Sequence, residues 1–561
     1  MAAGRTLMHS RRLLFVLWLC FVVRGCFYSA LLPLWEGYDE PFHFAFIQYV
    51  VAHGGLPVPT TPVSREVQQS LHLLPLSWEE RLHRLQPPFS TEDSYWQLSE
   101  ADRNALEQQV RGIPPQWGSQ PGTAPALYEA QQAPLYYWIM AAPLRLASGR
   151  PLATRIMLIR VLGVLLASLF IPIAFAAGRR FFSADAPALG TVAVIICMPE
   201  LMINISRVGN ESLAIVFYSL LTLLLFLAVR PGHSRWLISA GVALGLGLLT
   251  KAYFLFAIPA LLSVAIYLAW RYASERKQIL LNTAVGLVLA ALISFASYWR
   301  NRVVTGNWSG EQDAAVAARS SLPHLLITAA HVNWISGVNS VLISHTWFGG
   351  WSFLHLPKWM YVFFAAGMLA SAAGVIATIV RRRLQSPQLT VLLALYGWFW
   401  VGLLCNVLAI YIARGISASC GWYMYAVIVP EMLLVGCGLY ALTPPRGRWM
   451  VFPALATAFA TIDLYGVFAL LMPYYTGIIR HDTSSEHITP ATLSQLVSAR
   501  PNLLLDRLTV NRAGLSPRGV GVLLLAYCVC TAVAVALTYV VMRSAPASPE
   551  MALDSQPRYG A

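Results

Sequence analysis

The run "LLFVLWLCFVVRGCFYSALLPL", Leu13 to Leu34, settles what kind of protein this is. At 1.5 Å rise per residue it covers ~30 Å as a helix, the thickness of a bilayer core. Its basic start at Arg5, Arg11 and Arg12 resembles a signal peptide, but the apolar stretch runs to Leu34 without a small-residue cleavage site. It therefore reads as an uncleaved first span. Similar runs recur along the chain, which has 561 residues, 57% of them hydrophobic and only 11% charged. A soluble protein carries about 25% charged residues, so the class is all-α integral membrane. A transmembrane barrel would show short alternating segments instead.

About twelve spans follow, at 13–34, 155–177, 186–206, 212–229, 236–250, 252–270, 279–298, 359–380, 389–413, 421–442, 449–472 and 519–542. The net charge of +14 sits in short clusters between them, which sets topology and gives no reason to expect nucleic acid. With the N-terminus cytoplasmic, the inside connections carry Arg179–Arg180, Arg230, Arg235, Arg271, Arg276–Lys277, Arg381–Arg383, Arg446, Arg448 and Arg543. The short outside turns hold only Arg207, Lys251 and Arg414, in line with the positive-inside rule. Seven cysteines fall inside apolar segments and Cys420 near a segment end, a pattern of small hydrophobes rather than a disulfide framework.

Three long outer loops result, at about 35–154, 299–358 and 473–518, with no independent soluble domain evident. The first carries amphipathic patches, "WEERLHRL" and "SEADRNALEQQV". It also carries "PLYYWIMAAPLRLAS" (134–148), which is too short to span and is expected to lie along the outer interface. The tail from Ala545 has no core-forming pattern and is expected to be disordered. Arg24, near the middle of the first span, is expected to pair with a buried carboxylate or a polar lipid group, unless the span is shifted.

Just past the first span lies "EGYDEPFHF", Glu36 to Phe44. Pro41 suits a first helical turn, Asp39 is placed to cap it, and Gly54–Gly55 ends it, predicting an in-plane helix over 41–53 on the outer leaflet. Asp39 and His43, four apart, share a face. Asp39 has two readings that hold together: a capping acid, and a base at the bilayer rim able to take a proton from a substrate hydroxyl. Other polar groups belong to the same depth: Arg207, Asn210 and Glu211 in "SRVGNES", Lys251 in "GLLTKAYF", Arg300, Arg302 and Glu311 after the seventh span, and Arg414 and Tyr423 in "RGISASCGWYMY". Arg300 and Lys358 read as snorkelling anchors, and Tyr136, Tyr137 and Trp138 as interfacial anchors or sugar-lining rings. Lys251 interrupts a nearly continuous apolar region, where a charge usually faces a cavity or a partner. No ligand spacing supports a divalent metal, although the chemistry allows one; His43 near Glu40 is a single pair. No other cofactor is called for. "GLGLLTK" lacks phosphate-loop spacing, and the sequons at Asn204, Asn210 and Asn307 matter only in a glycosylating host.

Taken in order, "GYDEPFHF", "QQAPLYYW", "SRVGNESLA", "LGLGLLTKAYF", "YWRNRVVTGN", "TWFGGWSFLHLPKWMY" and "GWYMYAVIVPEMLLVGCGL" resemble the GT-C superfamily, from Met1 to about Leu442. These are polytopic glycosyltransferases that use lipid-linked sugars. The likeness is to bacterial members related to protein O-mannosyltransferases and the lipid A aminoarabinose transferase. The resemblance implies a GT-C fold with interfacial helices in the first large outer loop. It implies a catalytic module over 1–300, a second outer loop at 301–358, further helices over 359–472, a third loop at 473–518 and a last helix at 519–544, before the tail 545–561. It also implies a polyprenyl-phosphate-linked sugar donor, a glycan, lipid or protein acceptor, and transfer on the non-cytoplasmic side. Asp39 matches the catalytic aspartate and Glu40 its acidic neighbour. Lys251 and Glu211 match family positions, and Arg207, Arg414, His43, Tyr137 and Tyr423 join them as candidates for donor and phosphate binding. Two departures touch donor contacts: Gln131, Gln132 and Ala133 replace a basic residue before "PLYY", and Trp422 stands where relatives often have arginine. The expected location is a bacterial cytoplasmic membrane, with the endoplasmic reticulum as the alternative. A lipid-linked-sugar flippase would show paired broken spans in inverted repeats, and no convincing repeat is found; an inactive GT-C-like scaffold is the remaining alternative.

Overall fold

The computed structural model describes residues 2–78, 90–118, 124–382, 386–482, 487–512 and 514–544. The patch "WEERLHRL" and the tail from Ala545 lie outside them, apart from Trp78. Among the described residues, ten helices are long and apolar enough to cross a membrane, or up to twelve if each of two bent pairs is one span. The protein is an all-α, multi-pass membrane protein.

The first helix, Ala2–Leu31, runs straight through Arg24. Arg24 pairs with Asp463 at 3.0 Å, and both side chains are fully buried. Asp463 also accepts the phenol protons of Tyr28 at 2.6 Å and Tyr527 at 2.5 Å, so the charge is compensated inside the span.

The span expected at 186–206 is broken. Asp185–Cys197 and Pro199–Ile205 meet at 67°, because Met198 precedes a proline and takes extended backbone (φ −71°, ψ 117°). The run at 236–250 forms only Trp236–Leu248, shorter than a bilayer. It compensates by close backbone packing: a Cβ on Gly241 would lie 2.1 Å from the Gly286 carbonyl oxygen. The segment 299–358, read from the sequence as a loop, holds an apolar helix pair. Leu322–His331 and Trp334–Thr346 are bent 74° apart, and the Val332–Asn333 break divides a run too mixed in His, Asn and Ser to read as a span.

The first long loop has its own apolar cluster, distinct from the large core of the spans. The helix Glu40–His53 is buried on most of its faces and packs against Leu135–Leu146. It is therefore an internal element rather than one resting on a leaflet with a single face. Tyr136 and Tyr137 are fully buried too, so they are not interfacial anchors; only Trp138 of that trio points outward. Two buried ion pairs tie this loop to the span beginning at Leu152. Arg155 pairs with Glu66, and Arg160 pairs with Glu40 at 2.5 Å. Arg300, read from sequence as a snorkelling anchor, instead donates to the Ala130 carbonyl at 3.2 Å and to the Pro57 carbonyl, closing the loop from the other side.

Candidate active site

Asp39 sits at the turn into the Glu40–His53 helix in the left-handed region, with φ 55° and ψ 18°. Its carbonyl accepts from Phe42 and His43 N–H, each at 3.0 Å, but its side chain makes no capping bond. The capping role read from sequence thus belongs to its backbone. A non-glycine residue held in this region costs of order 1–3 kcal/mol and marks a position over-determined by its surroundings.

Glu40 is one residue on and turned elsewhere. Arg160 donates to both of its oxygens, at 2.7 and 2.5 Å, and the N–H groups of Val208 (2.9 Å) and Trp35 (3.2 Å) complete the set. The same guanidinium donates to the carbonyls of Ser29, Leu32 and Pro33. Glu40 is fully buried and fully engaged, which corrects the expectation of a second catalytic acid: it anchors the chain end of the first span.

The turn "SRVGNES" builds a cationic wall. Glu211 accepts from Lys251 Nζ at 2.5 Å and forms an ion pair with Arg207 at 2.9 Å. Lys251 also donates to Asn210 Oδ1 at 2.9 Å and lies 5.7 Å from the centre of the Tyr423 ring. Arg207 donates to the Tyr38 carbonyl at 2.6 Å and to Asn204 at 3.0 Å. Asn210 reaches Gln132 (3.2 Å) and the Thr250 carbonyl (2.9 Å), so one turn latches together three stretches singled out in the sequence. Gly209 leaves room for this pair, since a Cβ would meet Arg207 Nη1 at 2.4 Å and Glu211 Oε2 at 2.8 Å and displace them. Two cations on one carboxylate leave a net charge of about +1 on this wall. His43 Nδ1 lies 2.7 Å from the Tyr137 hydroxyl, and burial pushes the imidazole well below its usual range, keeping it neutral.

Two further carboxyls, Glu129 and Glu311, feel the charge of Asp39; Glu129 was not singled out in the sequence. Burial, reinforced by the Asp39 charge, pushes Glu129 up to about 8. Burial also raises Glu311, with Lys251 opposing it and Asp313 and Asp39 adding to it. Near neutral pH, Glu129 is thus largely protonated beside an aspartate. Elsewhere in the first long loop Glu36 is pushed up to about 8 and Glu92 to about 7, chiefly by burial. A carboxyl raised on folding lends stability that is full below its unfolded value and is lost as pH rises through its folded value. We therefore expect the melting temperature of the detergent-purified protein to fall between about pH 5 and 8. Each such group acts with a slope of up to about 1.4 kcal/mol per pH unit. Glu129→Gln should flatten part of that decline in a thermal-melt series; an unchanged profile would remove Glu129 from it.

A cavity of about 300 Å³ opens beside this wall. Its polar end is Lys251, Asn307, Ser309, Glu311 and Tyr423. Its apolar end runs between two spans, Phe256 and Leu255 on one side and Phe399, Leu403 and Ala409 on the other. Of the sequence candidates, Lys251 and Tyr423 line this cavity; Glu211 and Arg207 are joined to Lys251 by ion pairs, and His43 is paired with Tyr137 on the helix that Asp39 begins. Arg414 does not: it is 54% exposed at its side chain and pairs with Asp313 at 2.9 Å. Among the described residues no group of three or more His, Cys, Asp or Glu is placed to hold a metal ion.

Residues 131–299 match the family model described as dolichyl-phosphate-mannose-protein mannosyltransferase. No curated protein matches the chain. Among solved structures, ArnT from Cupriavidus metallidurans bound to undecaprenyl phosphate is similar at 14% identity, covering 97% of this chain and 78% of that one, with a TM-score of 0.42. Its apo state gives 13%, the same coverages and 0.45. The Archaeoglobus fulgidus oligosaccharyltransferase in the apo form gives 12%, 93% and 56%, and 0.40. These TM-scores all lie below 0.5. The segment similar to the mannosyltransferase family model, residues 131–299, is the one that carries Arg207, Glu211 and Lys251.

Proposed function

We propose that the protein transfers a sugar from a polyprenyl-phosphate donor to an acceptor on the non-cytoplasmic side of its membrane, with Asp39 as general base. The observation that carries this reading is the cavity: it joins a cationic, hydrogen-bonding end to an apolar slot between two spans, the shape of a charged head on a prenyl tail. The acceptor oxygen attacks the anomeric carbon as the bond from that carbon to the phosphate oxygen breaks. The acceptor proton passes to Asp39, and the phosphate leaves with the bonding pair. The carbon gains oxocarbenium character, and a single displacement inverts it. The net positive wall of Arg207, Lys251 and Glu211 is already oriented before the phosphate charge develops, which is electrostatic preorganisation. Glu129, held largely protonated, keeps the region around Asp39 from accumulating a second negative charge. Tyr423 adds an aromatic face to the polar end of the cavity.

The test is purified protein given a panel of polyprenyl-phosphate sugars, with release of polyprenyl phosphate as the readout. Turnover with one or more donors supports the enzyme; movement of intact donor across the bilayer without release would make the protein a flippase, and neither would make it a scaffold. Lys251→Ala removes one charge-assisted hydrogen bond, worth about 1.5–3 kcal/mol, so donor affinity is expected to fall about 10- to 150-fold. Unchanged affinity in a donor-binding titration would take Lys251 out of the site.

A further inference from the structure

A second cavity, of about 320 Å³, lies away from Asp39, between the helices Trp334–Thr346, Lys358–Arg382, Ile428–Leu442 and Val451–Tyr465. Its wall is mostly apolar, with Met198, Phe364, Met368 and Phe459 among the lining residues. Val362 also lines it and is 67% exposed on the outer surface of a bilayer-length helix, so the cavity opens sideways toward lipid. Within it sits a buried pair, His345 Nε2 and Glu431 Oε1 at 2.9 Å. His345 is 5% exposed and Glu431 1%. The other two polar atoms of this pair, His345 Nδ1 and Glu431 Oε2, are buried and have no hydrogen-bond partner among the described residues.

Buried polar atoms are almost always satisfied, so two together in one cavity call for a ligand. A ring that donates Nε2–H to Glu431 keeps a lone pair on Nδ1, and the carboxylate oxygen is an acceptor as well. What fits both is a group with several donor hydrogens and a positive charge, a primary ammonium. Lys358, exposed where its helix begins, lines the same cavity and offers a cation to a phosphate. We infer that this cavity binds a phospholipid with a primary ammonium head, its phosphate toward Lys358, its ammonium on Glu431 and His345, and its chain along the apolar wall. The site is independent of the proposed transfer and shares no lining residue with the cavity beside Lys251.

The full chain, delipidated in detergent, is titrated with phosphatidylethanolamine and with phosphatidylcholine of the same acyl chains, reading thermal shift and bound lipid by native mass spectrometry. The two lipids share the phosphate, but the quaternary head of the second has no donor hydrogen. The expected result is retention of the ethanolamine lipid at least about tenfold tighter, one decade of affinity. Glu431→Gln is expected to lose that preference and Asp39→Asn to keep it. Because Glu431 is buried, Val362→Trp at the exposed portal serves as the second variant: it should lower retention while leaving the lipid-free melt unchanged. Equal retention of both lipids by the native chain, or undiminished retention of the ethanolamine lipid in Val362→Trp, would overturn the assignment.

Discussion

Asp39→Asn is expected to cut turnover by about 10²–10⁴-fold, the usual worth of a general base, while the melting temperature stays that of the native protein. The substitution is informative because of the backbone. Position 39 is in the left-handed region, where asparagine is among the few tolerated side chains, so folding should survive. Its carbonyl, not its side chain, receives the Phe42 and His43 N–H groups, so the helix start is also kept. Asp39→Ala would mix the loss of the base with backbone strain. Turnover of Asp39→Asn equal to that of the native protein would show that another group takes the proton.

The second large effect is on stability. Arg160→Met leaves the Glu40 carboxylate buried without its ion-pair partner and abandons three carbonyls at the end of the first span. Breaking such a pair from one side typically costs 3–5 kcal/mol, roughly half the stability of many domains. Arg160→Lys should also be damaging, since an ammonium cannot span both carboxylate oxygens and the carbonyls as the guanidinium fork does. The double variant Arg160→Met, Glu40→Gln should regain part of the loss because no unpaired charge remains. Denaturation melts of the three variants would show this order; a single variant as stable as the native chain would mean that water reaches Glu40.

The spans were legible because a bilayer demands long apolar runs, and those runs survive any detail of packing. What failed was local. The 186–206 run looked continuous although Pro199 breaks it, and 322–346 looked like a loop because His324, Asn333 and Asn339 dilute its apolar character. In the site, Asp39, Lys251, Arg207 and Glu211 stood out because charges are rare in such surroundings. Glu129 did not, since "LYEAQQAP" has no pattern of its own, and its placement arises only when the first loop folds it toward Asp39. Glu40 and Arg414 misled for complementary reasons. Adjacent acids look alike in sequence yet leave a helix start in different directions. An arginine at the end of a span reads the same whether it turns toward a cavity or, as Arg414 does, toward solvent.

Arg24 leaves the ribosome long before its counter-charge Asp463 and its neighbours Tyr527 and Thr531 exist. Until those last helices are threaded, the nascent chain must park a guanidinium in the insertion machinery or in a lipid head region. Maturation of the first helix is thereby coupled to completion of synthesis. A chain stopped before residue 463 would carry a stranded cation, and the cell's membrane proteases would be expected to read it as unfinished.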